Sequence, residues 1–552
     1  MINRRGFLQS SIIAPFAIKE ITTHGKPSDD TAGKNSTTTP VRFDIVIYGA
    51  TPAGIAAAVA AAREGKSVVI IEPLPIAGGI LSGGMGFSDS NQMHRETLGG
   101  IFKEYYKRIE KYYISRGEKL SYQINNTNGT TWRTEPHVNE LVFNKMMEEE
   151  KVTLFLNEKI RTVQQKNNAI ESITTYSGMQ LSGKVFIDAS YEGDLMAFAG
   201  VEYRVGRESK AEFNESVAGV RFPKKQVDIT AVDSYGEPLP LISTTHMQQD
   251  GLADNHIMAY SFRLCLTKDP ANRVPIAKPA NYNPNQYELL RRYYKAFPDY
   301  GMPIDLYPIP GNKYDGNNGI RKQISMALVG ENWAYPEANY ERREVIQNKF
   351  KDFTQGLLYF LKTDPAVPKK VHDRINELGY AKDEFEAFGH FPPVFYVREA
   401  RRMVGEYFLT QDDILKNRTK PDSVGIGSFP IDSHDCQRIL TKDKGFINEG
   451  TIFNSLFRID KLGYAYQVPY RSIIPRYKDC TNLLVPVCLS ASHVALASIR
   501  VEPTWMVLGE SAGIAAAVAV ESNAPVQKLD YGQLATRLKK RGQILALPAH
   551  LI

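Results

Sequence analysis

Hydrophobic and polar positions along the chain fall into short buried runs and longer amphipathic segments, the pattern of strands interleaved with helices. The clearest block runs from Arg42 to Glu72. Asp44–Tyr48 is an apolar run that stops at Gly49, as a strand buried on both faces does. Pro52–Arg63 is alanine-rich and predicts a tightly packed helix. Gly65 marks its end, and Ser67–Ile71 is a second buried strand closing on Glu72. Further helices are expected at Gly100–Lys111, Val138–Glu149, Tyr287–Phe297, Tyr340–Thr363, Val371–Gly379, Pro392–Leu409 and Trp505–Ala519. Strands are expected at Val152–Leu156, Lys184–Asp188 and Leu483–Leu489, with a meander over Ile160–Gly183 that turns at Asn167-Asn168 and Ser177-Gly178. Pro73–Asp89 holds too many glycines for a helix or central strand. Its apolar residues Ile76, Ile80, Leu81, Met85 and Phe87 predict a buried loop lying along a ligand.

Strand, glycine turn, helix, strand and terminal acid make up the dinucleotide-binding unit. Gly49 permits the sharp turn off the first strand, and Gly54 lets the helix pack closely. The start of that helix, Pro52 and Ala53, presents backbone N–H groups and a partial positive charge to a pyrophosphate. Glu72 suits the ribose hydroxyls and disfavours a 2′-phosphate. The middle position of G-x-G-x-x-G is Thr51, whose Cβ crowds the phosphate approach and whose hydroxyl could donate to it.

Length divides this picture. At 552 residues the chain fits two joined domains. After about Glu202 the texture shifts to proline, tyrosine and asparagine, and sheet-like sequence returns near Tyr464. The expected division is 1–40 as export signal and linker, 41–201 and 455–552 as two parts of the nucleotide domain, and 202–454 as an inserted substrate domain. Asn3-Arg4-Arg5-Gly6-Phe7-Leu8 reads as a twin-arginine export motif, and Ile12–Ile18 is too short for a permanent membrane span. A net charge of +6 without a dense basic block argues against nucleic acid. Cys265, Cys436, Cys480 and Cys488 form no C-x-x-C pair, so structural zinc is not expected.

The combination of Gly49-x-Thr51-x-x-Gly54, Glu72, Gly78-Gly79, Asp188–Asp194 and His493…Arg500-x-Glu502-Pro503…Gly509-x-x-Ala512-Gly513 resembles the FAD-dependent oxidoreductase family. The resemblance implies an α/β fold: a glutathione-reductase-type Rossmann FAD domain with an inserted mixed α+β substrate domain, laid out as in fumarate reductase. It implies noncovalent FAD, with Gly49, Thr51, Pro52, Ala53 and Gly54 at the pyrophosphate and Glu72 at the ribose. Gly78 and Gly79 would line the ribityl side and Ser190 a second strand end. Gly509, Ala512 and Gly513 would bring a helix start to the flavin pyrimidine edge.

Hydride transfer from a carbon bearing a hydroxyl needs a base and a cation to steady developing charge. His493 and Arg500 are the first pair for those roles. His434, between Asp432 and Asp435, is a second base whose basicity two acids would raise. Arg398, with Arg401 and Arg402 on one helix face, would clamp a carboxylate or sugar hydroxyls. Tyr191, Glu192, Trp132 and Tyr470 are further pocket-lining candidates. The expected reaction passes hydride between a small polar organic substrate, such as a sugar derivative, and flavin N5, with a separate electron acceptor. A flavin-dependent elimination or isomerisation without net electron transfer is the alternative, and a non-catalytic nucleotide-binding module is the reading of another class.

Overall fold

A computed structural model describes residues 40–86, 88–117 and 133–552. The arginine pair, the apolar stretch and the linker of the N-terminus, and also Phe87 and Trp132, lie outside the described residues. Residues Pro40–Ile552 form one compact unit.

The expected nucleotide unit is present, and its ends match the apolar pattern closely. Strand β1 (Val41–Tyr48) leads through Gly49–Thr51 into helix α1 (Pro52–Arg63), and β2 (Val68–Glu72) follows. Later strands are β3 (Thr153–Leu156), β4 (Ile160–Lys166), β5 (Ala169–Thr175) and β6 (Gln180–Asp188). Among the described residues these six strands run in the order β3-β2-β1-β6-β5-β4, and Leu483–Leu484, beside β6, is the seventh strand of the sheet. The pairs β3–β2, β2–β1 and β1–β6 are parallel, whereas β4–β5–β6 is the antiparallel meander. The chain leaves this sheet at Asp188 and returns only at Leu483–Leu484, which pairs parallel with the end of β6. The carboxyl ends of β1, β2 and β6 therefore meet at one edge, where open α/β sheets place ligands.

Between those visits, a five-stranded antiparallel sheet is built from Asp305–Ile309, Lys313–Asn317, Leu264–Thr267, Gly379–Ala381 and Arg273–Pro275, in that order. The helix Tyr340–Thr363 has the bounds the amphipathic pattern predicts, capped by the Asn339 side chain on the Arg342 amide.

Helix α1 and the helix Glu502–Ser522 pack in close contact. A Cβ on Gly509 would fall on the Ala53 carbonyl oxygen, and one on Gly513 on that of Ala57. Both alanine-rich surfaces thus serve backbone-to-backbone packing. By length and composition Glu502–Ser522 could cross a membrane, but it is buried as a core helix. All four cysteines are free and buried.

Three local expectations need correction. Pro392–Leu409 is not a helix but an extended segment whose Arg402–Met403 pairs with Tyr203–Arg204. Its arginines reach partners in three directions, which a single helical face does not allow. Only Leu483–Leu484 of the expected Leu483–Leu489 strand pairs. Inside the glycine-rich loop, Gly79–Ser82 forms one helical turn, α2, although the segment is buried as expected.

Candidate active site

The carboxyl edge of the main sheet opens into a cleft of about 380 Å³ lined by Gly49, Thr51, Glu72, Gly79, Ser190 and Tyr191. Glycine is required at the turn: Gly49 has φ +99°, and a Cβ there would lie 2.7 Å from the Ser190 nitrogen. A Cβ on Gly54 would overlap the Gly49 carbonyl oxygen. Thr51 is the N-cap of α1: its hydroxyl accepts from the Gly54 amide (3.2 Å) and donates to the Ala189 carbonyl (2.7 Å). That hydroxyl's proton is therefore committed to the protein and not to a phosphate. The Glu72 carboxylate accepts the Ala50 amide at 2.6 Å and the Leu74 amide at 2.8 Å, tying the two turns together. Burial raises its pKa to about 8 against the pull of those amides.

The opposite wall comes from the helix Tyr340–Thr363, through Tyr340, Arg343 and Gln347. Arg343 makes a two-pronged pair with Asp194 at 2.6 and 2.8 Å, and Arg401 adds a third bond at 2.8 Å. Burial alone would raise the Asp194 carboxyl, but these two guanidinium groups hold it below its usual range. Sequence reasoning missed Arg343, because nothing in a polar helix marks which of its arginines turns inward.

Tyr191 links the cleft to the start of the helix Glu502–Ser522. Its hydroxyl accepts from the Ile80 amide (3.1 Å) in α2 and donates to Glu502 Oε1 (2.8 Å). Burial pushes Glu502 up to about 8.

Beyond Tyr191 lies a buried cationic centre. Arg398 is 0% exposed and donates to the Ala259 carbonyl (2.7 Å), Ser261 Oγ (2.8 Å) and Asn318 Oδ1 (2.6 Å). Its guanidinium lies 4.3 Å from the Tyr396 ring centroid, and the Tyr396 and Tyr191 hydroxyls feel each other's charge. Burial, together with Arg500 and Arg263, pulls the Arg398 pKa down to about 9. Arg500 donates to the Asp432 carbonyl (2.9 Å) and Oδ2 (2.8 Å).

The arrangement fixes a tautomer. Arginine only donates, so Asn318 must present its oxygen to Arg398 and its NH₂ to His434 Nδ1, 2.9 Å away. Nδ1 is then the acceptor, and the neutral ring carries its proton on Nε2, 3.7 Å from Asp432 Oδ2. The ring is neutral because burial, then Arg398, Arg500, Lys224 and Arg263, hold its pKa well below the ordinary value.

The sequence matches the family model described as FAD dependent oxidoreductase over residues 44–538. The chain belongs to the FAD-dependent oxidoreductase family. No curated protein matches it. Solved structures that resemble it include a geranylgeranyl bacteriochlorophyll reductase-like protein from Thermoplasma acidophilum, 12% identical over 91% of this chain and 84% of that one, with a TM-score of 0.35. Others are L-proline dehydrogenase from P. horikoshii (18% identity, 31% of this chain, 59% of that one, TM-score 0.25) and 3-ketosteroid-Δ4-(5α)-dehydrogenase from Rhodococcus jostii RHA1 (13%, 30% and 50%, TM-score 0.21). The chain thus spans little more than half the length of these two dehydrogenases.

The residues of this FAD-dependent oxidoreductase fit its cofactor. The cleft supplies an acid, a tight glycine turn and a helix start for a dinucleotide. Where it ends, Ser82 Oγ, Glu502 Oε2, Thr504 Oγ1 and Trp505 Nε1 are buried without a hydrogen-bond partner. Orphaned polar atoms at one end of a nucleotide cleft are what a polar ring system would satisfy.

Several sequence-derived site residues move. Gly49, Thr51, Glu72, Gly79 and Ser190 converge on the cleft. Pro52 and Ala53 form the first turn of α1, and the Gly78 amide donates to the Ala50 carbonyl, tying α2 to the same turn. Gly509, Ala512 and Gly513 lie inside the helix, not at its start, and the two glycines serve the contact with α1. That helix starts at Glu502–Thr504, where Glu502 meets Tyr191 of the cleft.

His493 also changes role. Its Nδ1 bonds Glu208 Oε2 at 2.9 Å, its Nε2 accepts the Gly219 amide at 3.3 Å, and Glu208 is also paired with Arg402. Both ring nitrogens are engaged in the scaffold. His434 is not made more basic by its neighbours in sequence, because Asp432 turns to Arg500 and Asp435 to Lys224. Tyr470 donates to the Val526 carbonyl and serves packing. Glu135, His137 and Glu384 could together hold a metal, but the Lys313 ammonium already sits 2.7 Å from Glu135 and 2.8 Å from Glu384.

Proposed function

We propose that this FAD-dependent oxidoreductase passes hydride between a small polar organic substrate and its flavin, with the substrate oxygen held at Arg398, His434 and Arg500. The observation that carries the reading is the Arg398–Asn318–His434 relay, which fixes a neutral ring with its Nε2 proton as a donor. Bound FAD would supply the hydride donor or acceptor. The chain's own side chains would do the rest. A substrate oxygen accepting from His434 Nε2 would gain two guanidinium neighbours as negative charge develops on it. In a water-poor site such fixed donors are worth roughly 10²–10³ in rate. His434 is then an electrophile and not the base expected from sequence, and Asp432 is the carboxylate nearest that ring for proton exchange.

The test is an anaerobic screen of polar alcohols and acids for bleaching of the flavin. His434→Gln should keep FAD and slow the bleaching at least tenfold. Wild-type kinetics in that variant would remove His434 from the reaction, and turnover without any bleaching would favour a redox-neutral elimination. We also read Arg4 and Arg5 as directing export of the folded, FAD-loaded protein. Fractionation should find the protein in the periplasm, and a double lysine variant should be retained inside.

A further inference from the structure

The cationic centre is out of charge balance. Arg263 is paired with Asp315 at 2.7 Å, Lys224 with Asp435 at 2.7 Å and Arg500 with Asp432 at 2.8 Å. Arg398 is different. Its three acceptors are a carbonyl, a hydroxyl and an amide oxygen, and among the described residues it has no carboxylate partner. One full positive charge is left over among these four cations. In addition, Arg398 Nε and Arg500 Nε are both buried without a hydrogen-bond partner. Buried cations are normally paired, and an unpaired one is among the costliest features a core can hold.

We propose that the substrate is an organic acid whose carboxylate docks on Arg398 and Arg500, completing the charge balance of the centre. This rests on the reading of the same site above and deepens it by naming the substrate class. Three features choose a carboxylate over other ligands. The surplus is a single charge, which a carboxylate neutralises and a phosphate dianion overshoots. Two orphaned guanidinium N–H groups suit the two oxygens of a carboxylate. A neutral sugar would bring acceptors but no counter-charge, and Arg398 would stay uncompensated. The Tyr396 face against Arg398 fixes the guanidinium plane in advance, and His434 Nε2–H adds a third donor for a neighbouring oxygen of the acid. A hydroxy acid or sugar acid meets all of these demands.

The experiment is an equilibrium titration of the FAD-loaded full chain, read by the flavin difference spectrum and by the melting temperature. The probes are acetate and glucuronate, with glucose as the neutral control and inorganic sulfate as the dianion. Acetate or glucuronate should give a saturable flavin shift and raise the melting temperature, while glucose at the same concentration does neither. Arg398→Gln should weaken carboxylate binding at least tenfold, and Arg398→Lys should recover part of it. Arg500→Gln provides a second variant should Arg398→Gln not fold. The proposal is overturned if no carboxylate moves either signal, if glucose matches glucuronate, if sulfate outcompetes the carboxylates, or if Arg398→Gln binds them like the wild type. Carboxylate binding without bleaching by any compound would instead strike the hydride-transfer reading and leave the carboxylate site standing.

Discussion

The cofactor cleft and the cationic centre are neighbours built in opposite ways. The nucleotide-holding turn of the cleft comes from one continuous stretch, β1 through Glu72, in which each turn residue is dictated by local backbone geometry. The centre draws Ser261 and Arg263, Asp315 and Asn318, Tyr396 and Arg398, Asp432 and His434, and Arg500 from five separate segments. In the cleft, polar side chains mostly tie the protein to itself, as Thr51 and Glu72 do. In the centre they leave donors and a charge unspent. The first region is a holder whose form is local. The second is poised, and its chemistry exists only once the chain has folded.

That contrast predicts separable losses. The largest should come from Gly509→Val, which drives a side chain into the Ala53 backbone. A cost of about 3 kcal/mol is expected for such overpacking, with FAD content and melting temperature falling together. A soluble, fully yellow variant would show that close helix pairing does not hold the cleft. Next, Glu72→Ala should weaken FAD binding by about 2 kcal/mol, measured by flavin fluorescence, while the flavin that remains is reduced at close to the normal rate. A slowed rate at full occupancy would blur the two regions. Thr51→Ala should cost about 1 kcal/mol through loss of the helix cap and leave FAD affinity within roughly twofold. A much larger loss of affinity would return the hydroxyl to the phosphate.

The smallest effect concerns Glu510, whose carboxylate accepts the Ile101 amide (2.8 Å) and Gln543 (2.6 Å) in the core. Burial lifts its pKa from 4.5 to about 7. The folded state therefore holds this proton more tightly than the unfolded chain does. The stability it contributes is present below about pH 4.5 and is lost as pH rises through about 7. Glu510→Gln should flatten that dependence and melt ~2 °C higher than the wild type at pH 8, with no gain at pH 5. Parallel pH profiles would show that Glu510 is ionised in the fold.

Legibility in the sequence followed the same divide. The βαβ unit, the acid at position 72 and the helix Tyr340–Thr363 were readable because apolar period and turn chemistry are local properties. The stretch Pro392–Leu409 misled because arginines three and four apart imitate a helix face. In the structure Arg398, Arg401 and Arg402 turn to Asn318, Asp194 and Glu208. His434 misled for a related reason: its neighbours in sequence are acids, but its neighbours in space are cations from distant segments. Small residues at Gly509 and Gly513 suit close approach equally well to a cofactor or to a helix, and composition alone does not say which.

The central claim is that Arg398 acts on the substrate and not on the cofactor. Stopped-flow reduction of the flavin under anaerobic conditions, with any compound that bleaches the wild type, tests it in Arg398→Met. The account predicts one FAD per chain, an unchanged resting spectrum and a rate lower by roughly 10²–10³. A colourless variant, or one reduced at the wild-type rate, would contradict it.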